Sequence, residues 1–159
     1  GPVPPRIYLL PTLAAIASLA YFFLTSSSTL PPARAVESVL LEAHHAFERR
    51  DPEALAQLLS PHVDPPRRTA LMAYVAQVMA VPGWRGVLIA QQQLDVRDDD
   101  TVVAEVDAAL VPSDAPSRTG LANALKGNLG FVRLQVRFVR EAGDVWRARD
   151  VTWSSLTLL

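Results

Sequence analysis

The chain has 159 residues, with 15 Lys and Arg against 16 Asp and Glu, a net charge of −1, and no cysteine. The near-neutral balance excludes broad electrostatic binding to nucleic acid or acidic lipid, and the missing thiols exclude disulfides and thiolate chemistry. Half of the residues are hydrophobic, and they are spread unevenly.

No charged residue stands between Arg6 and Arg34, and Ile7 to Leu24 is almost wholly apolar. About 20 such residues cross the roughly 30 Å hydrocarbon core of a bilayer as a helix. Tyr8 at one end, and Tyr21, Phe22 and Phe23 at the other, suit the two interfaces where amphipathic rings collect. Pro11 sits early, where a missing amide costs little. Ala14, Ala17 and Ser18, with Ala15 and Ala20, form a small-residue face against which a partner helix packs. The competing reading is a signal peptide, with Arg6 as its basic start and Ala33-Arg34-Ala35 as its cleavage site. An uncleaved anchor is preferred. The apolar run exceeds the roughly 7 to 15 residues of a signal, and Thr25-Ser26-Ser27-Ser28-Thr29 separates it from Ala35. The few flanking cations put the N-terminus inside and the remainder outside. Residues 1–29 are thus expected to be an anchor with a short tail, 30–35 a Pro-rich linker, and 36–159 one domain.

The domain begins helically. Val36, Val39, Leu40, Ala43 and Phe47 recur at three- and four-residue spacing. Asp51-Pro52-Glu53 starts a second helix, with Asp51 as cap and Pro52 at the first position, and Ser60-Pro61 stops it. After His62 to Pro66, a third helix carries Leu71, Met72, Val75, Val78 and Met79 as far as Pro82-Gly83. The pattern then turns to strands. Trp84 to Arg97 has Val87, Ile89, Leu94 and Val96 as apolar members, and Asp98-Asp99-Asp100 is a polar turn. Thr101 to Pro112 sets Glu105 and Asp107 opposite Val102, Ala104 and Val106. A longer connection runs to Asn128. Leu129 to Glu141 alternates Val132, Leu134, Val136 and Phe138 with Arg133, Gln135 and Arg137. Ala142-Gly143-Asp144 turns the chain into Val145 to Leu156, where Trp146, Ala148, Asp150 and Thr152 are expected on one face and Val145, Val151 and Trp153 on the other. Helices followed by consecutive antiparallel strands predict an α+β fold with the helices on one face of the sheet.

Two helices joined at Arg50-Asp51-Pro52-Glu53-Ala54-Leu55, a third helix, and a closing hairpin reading Gly143-Asp144-Val145-Trp146-Arg147 and then Asp150-Val151-Thr152-Trp153 together resemble the NTF2-like (SnoaL-like, cystatin-like α+β) superfamily. The resemblance implies a cone: three helices on a curved antiparallel sheet of about four strands. It also implies a pocket used by some members as isomerases, dehydratases or hydrolases and by others only for binding. The short strand that such folds often insert between the second and third helices is expected to be reduced or absent here.

Catalytic signals are sparse. Asp150 beside Trp146 is the leading candidate acid or base, with Tyr74 and Trp146 as further pocket candidates. The competing reading pairs Asp150 with Arg133 or Arg137 across the sheet. Asp107 is a weaker candidate of the same kind. His44 and His45 are adjacent and diverge by about 100° on a helix, so they do not share a metal as an i, i+4 pair does. Neither a metal site nor a cofactor is expected. There is no phosphate-cradling loop, nucleophile elbow or dinucleotide fingerprint, and no aromatic ladder for nucleic acid.

The expectation is a non-catalytic, single-pass accessory or assembly subunit of a bacterial inner-membrane complex, its domain on the periplasmic side. Its expected partners are other membrane subunits, the bilayer, and a second copy through the sheet face. The alternative is a tethered small-molecule binder or SnoaL-like isomerase or hydrolase using Asp150.

Overall fold

A computed structural model describes residues 30–112 and 129–155. The described residues from Pro32 onward form one compact unit. Its described elements are α1 (Pro32–Glu48), α2 (Pro52–Gln57), α3 (Pro65–Met79), β1 (Gly86–Asp98), β2 (Thr101–Val111), β3 (Gly130–Glu141) and β4 (Val145–Ser155). Consecutive strands pair antiparallel in the order β1-β2-β3-β4. The fold is α+β, three helices on a four-stranded sheet. Among the described residues no helix is long and apolar enough to cross a membrane, and the apolar span 7–24 lies outside them.

The first helix starts at Pro32, inside the stretch expected to be linker. Proline tolerates that position because a first-turn amide has no intrahelical acceptor. The turn out of α1 places Arg50 at φ 55°, the left-handed region. Asp51 then accepts from the Ala54 amide at 3.1 Å, capping α2 as the sequence predicts. The segment after α2 runs beside β4: the Ser60 amide donates to the Ala148 carbonyl at 2.8 Å, and the Ala148 amide donates to Leu58 at 2.9 Å. The inserted strand of the resemblance is thus reduced to a single parallel bridge at Leu59 and Ala148.

Two bulges set which side chains meet the helices. In β1, Ile89 pairs with Ala108 but Gln91 with Asp107, so Ala90 is an extra residue. The extra residue shifts the alternation by one. Val87 and Ile89 therefore share a face with Leu94 and Val96, although the first two positions are odd and the last two even. In β4, Arg137 pairs with Asp150 and Phe138 with Ala148, which leaves Arg149 extra. The alternation read from the sequence fails at this point. Trp146, Ala148, Val151 and Trp153 all pack with the helix-facing core, while Asp150 falls in register with Arg137.

That core joins Val36 of α1 and Leu71 of α3 with Val102, Ala104, Val136, Phe138, Trp146 and Ala148 of the sheet. At the far end of the domain Trp84 is fully buried. Its ring packs on Phe47, its Nε1–H donates to the Met79 carbonyl at 3.1 Å, and the Arg50 guanidinium lies 3.7 Å from the ring centroid. One tryptophan thereby ties the ends of α1 and α3 to the start of β1. The β3–β4 turn needs positive φ at both Gly143 and Asp144, which is the demand of the hairpin turn whose twist matches its strands.

Candidate functional site

The helix-facing interior is the natural place for a pocket, and every buried side chain of its core cluster is apolar. Tyr74 from α3 stacks on Trp153 of β4, with ring centroids 5.1 Å apart and planes at 18°. Arg67, one helical stretch earlier, lies 6.0 Å from the centre of the same indole. Its Nη2 donates to the Val151 carbonyl at 3.0 Å, and its Nε is 3.4 Å from Asp150 Oδ1.

The structure does not bring Tyr74, Trp146 and Asp150 together as a constellation. Tyr74 meets Trp153. Trp146 is buried in the core, with the Arg140 guanidinium 5.4 Å from its ring centroid. The Asp150 side chain is 51% exposed and faces a cation, a setting unlike the apolar, unpaired site in which a carboxyl group becomes a general acid. Its partner is neither Arg133 nor Arg137 but Arg67, which sequence spacing did not nominate. The signal was hidden by the bulge at Arg149, which moves Trp153 toward α3 and Asp150 away from Trp146.

The outer face of the sheet is the more polar surface. An open hollow of about 570 Å³ is lined there by Gln93, Asp95, Arg97, Val103, Glu105 and Gln135, with Leu94 at its margin. Beside it Arg133 donates from Nε to Asp107 Oδ1 at 2.8 Å and from Nη2 to Oδ2 at 3.0 Å, and Glu105 lies 3.5 Å from the same guanidinium. Asp107 is only 5% exposed. The hydrogen bonds from Arg133 hold its carboxyl below the ordinary carboxylate range, against the opposing effect of burial, and the charge of Arg133 adds to them. The guanidinium is correspondingly held protonated more firmly than usual, chiefly by its hydrogen bonds to Asp107. Asp107 is thus a satisfied ion-pair member on the outer face.

His44 is engaged structurally. His44 Nε2 lies 3.0 Å from the Val87 carbonyl and also contacts the Glu48 carboxylate one turn on. Both partners accept, so Nε2 carries the hydrogen. Asp98, Asp99 and Asp100 form the β1–β2 turn. Arg140 reaches it, donating from Nη2 to the Asp99 carbonyl at 2.7 Å and approaching Asp100 at 3.5 Å and Asp144 at 3.7 Å. Among the described residues no group of three metal-donor side chains comes together. Ala14, Ala17 and Ser18, the expected helix-packing residues, lie outside the described residues.

No family model and no curated sequence matches the chain. Solved structures do. A cystatin-like fold protein from Burkholderia xenovorans superposes with a TM-score of 0.54 at 15% identity, covering 79% of this chain and 92% of that one. A hexachlorocyclohexane dehydrochlorinase from Novosphingobium barchaimii gives 0.54 at 14% identity, with 82% and 90% covered. A ketosteroid isomerase candidate from Shewanella frigidimarina gives 0.52 at 13% identity, with 76% and 94% covered. Likeness at such identities speaks to architecture alone. The described domain has the NTF2-like, or cystatin-like, α+β fold.

Proposed function

We propose that the chain is a non-catalytic, membrane-anchored accessory or assembly subunit. The apolar span 7–24 holds it in the bilayer, with the folded domain on the outer side of a bacterial inner membrane. The domain engages other membrane subunits, or a second copy of itself, through the outer face of its sheet. The observation that carries this reading is the contrast between the two faces. The helix-facing cluster is filled by apolar side chains, whereas the outer face sets a broad polar hollow beside the Asp107–Arg133 pair. A charged, shallow face of this kind suits a protein partner better than a small molecule, which favours a concave and mostly apolar site.

The test is purification of the full chain in mild detergent, followed by measurement of its mass and composition. A stoichiometric partner or a defined dimer, lost on Glu105→Arg or Gln93→Arg, supports the reading. A lone monomer with no partner overturns it.

A second reading, a tethered small-molecule binder or enzyme, draws on the structural neighbours named for dehydrochlorinase and isomerase activity and on the half-exposed Tyr74–Trp153 stack. In that reading the aromatic pair, not Trp146, contacts the ligand, and Asp150 serves as acid or base only if Arg67 moves away.

A further inference from the structure

We propose that a separate hollow, between α2 and β4, binds a carboxylate carried on a small apolar body. The hollow has a volume of about 360 Å³ and is lined by Ala56, Gln57, Leu59, Pro61, Arg68 and Arg147. It shares Leu59 with the helix-facing core and no residue with the outer-face hollow, and it does not depend on the function proposed above.

Two guanidinium groups define its chemistry. Arg68 comes from the first turns of α3 and Arg147 from β4, and both are half-buried. Each is fixed by a hydrogen bond to a backbone carbonyl. Arg68 Nη2 donates to Ser60 at 2.9 Å, and Arg147 Nη1 donates to Gln57. Among the described residues neither forms an ion pair, although Arg67, Arg97, Arg133 and Arg140 all do. A guanidinium has five donors, so one carbonyl leaves most of them to be satisfied. The donors left over are open to water, and a carboxylate held by the planar fork takes that water's place with charge-assisted hydrogen bonds.

The geometry is also preset. The paired hydrogen bonds of Leu58 and Ser60 to Ala148 lock the segment between the two arginines against β4. The donors therefore need little ordering when a ligand arrives, which is where preorganised sites gain affinity. Of the remaining walls, Ala56, Leu59 and Pro61 are apolar and Gln57 is polar. The apolar walls match a hydrocarbon body next to the anionic group better than the fully hydrated surface of inorganic phosphate.

The experiment titrates the full 159-residue chain with benzoate, with its neutral analogue benzamide, and with inorganic phosphate, following amide resonances by NMR. Saturable benzoate binding that shifts Gln57, Leu59, Ser60 and Ala148, with benzamide at least tenfold weaker, is the expected result. Arg68→Gln and Arg147→Gln are each expected to weaken benzoate at least tenfold. Ala56→Leu, which narrows the hollow but keeps both arginines, is expected to weaken binding with the fold retained. Equal response to benzoate and benzamide, or undiminished binding in Ala56→Leu, would overturn the site. Saturation by phosphate without benzoate would overturn the carboxylate assignment.

Discussion

Asp107 and Arg133 meet through both carboxylate oxygens on the outer face of the sheet, and they share water very unequally. Asp107 is almost excluded from solvent, whereas the Arg133 side chain is 45% exposed. A buried carboxylate with a depressed pKa stabilises the fold above its unfolded value of about 3.9, and that stabilisation is lost as pH falls through the folded value. Asp107→Asn should therefore lower stability near neutral pH and flatten the pH dependence of unfolding below about pH 4. Chemical unfolding of both proteins across the acidic range checks this, and parallel curves would refute it.

The Trp84 anchor predicts a larger effect. Removing a buried aromatic ring from a packed core costs about 3–5 kcal/mol, so Trp84→Ala should lower the urea midpoint accordingly or leave the domain unfolded. Arg50→Gln removes the cation from the ring but keeps the ring itself. It should cost far less, about 0.5–1 kcal/mol.

The bulge at Arg149 predicts a difference between deletion and insertion. Deleting Arg149 removes the extra residue and leaves Ala148, Val151 and Trp153 on the helix-facing side of a regular strand, so a cooperative fold should survive. Inserting one alanine between Asp150 and Val151 moves Val151 and Trp153 to the outer face, because a one-residue slip moves every later side chain to the other side. Loss of cooperative unfolding and a red-shifted tryptophan emission are expected of the insertion. Arg149→Ala keeps the residue count and should unfold within about 0.5 kcal/mol of the parent, as surface substitutions do.

The apolar span supports a fractionation prediction. The full chain should resist extraction of membranes with alkaline carbonate, and residues 32–159 alone should appear in the supernatant with unchanged circular dichroism. In spheroplasts, protease added from outside should reach the domain if the anchor has the orientation argued from Arg6. Protection of the domain would reverse that orientation.

The order of elements was legible in the sequence because each carries a local signature: Asp51-Pro52 at a helix start, alternation from Val132 to Phe138, Gly143-Asp144 at a hairpin. Faces were legible only while alternation stayed unbroken. Glu105 and Asp107 were placed correctly opposite Val102 and Ala104. Asp150 was not, because a bulge is a property of strand pairing and leaves no mark in the spacing of a single strand. The Arg67–Asp150 and Arg133–Asp107 pairs were beyond reach for a related reason. Several arginines in the chain are chemically equivalent candidates, and only the tertiary fold selects among them.

Arg140 carries a consequence for anyone altering this domain. Hairpin tips are ordinarily the places where a chain accepts an inserted peptide or label. Here the same guanidinium holds the Asp99 carbonyl of one tip and approaches Asp144 of the other, so the two tips behave as one joined rim. An epitope spliced at Asp99 would loosen the second hairpin as well, and the exposed helical surface around Leu41 is the safer place for a handle.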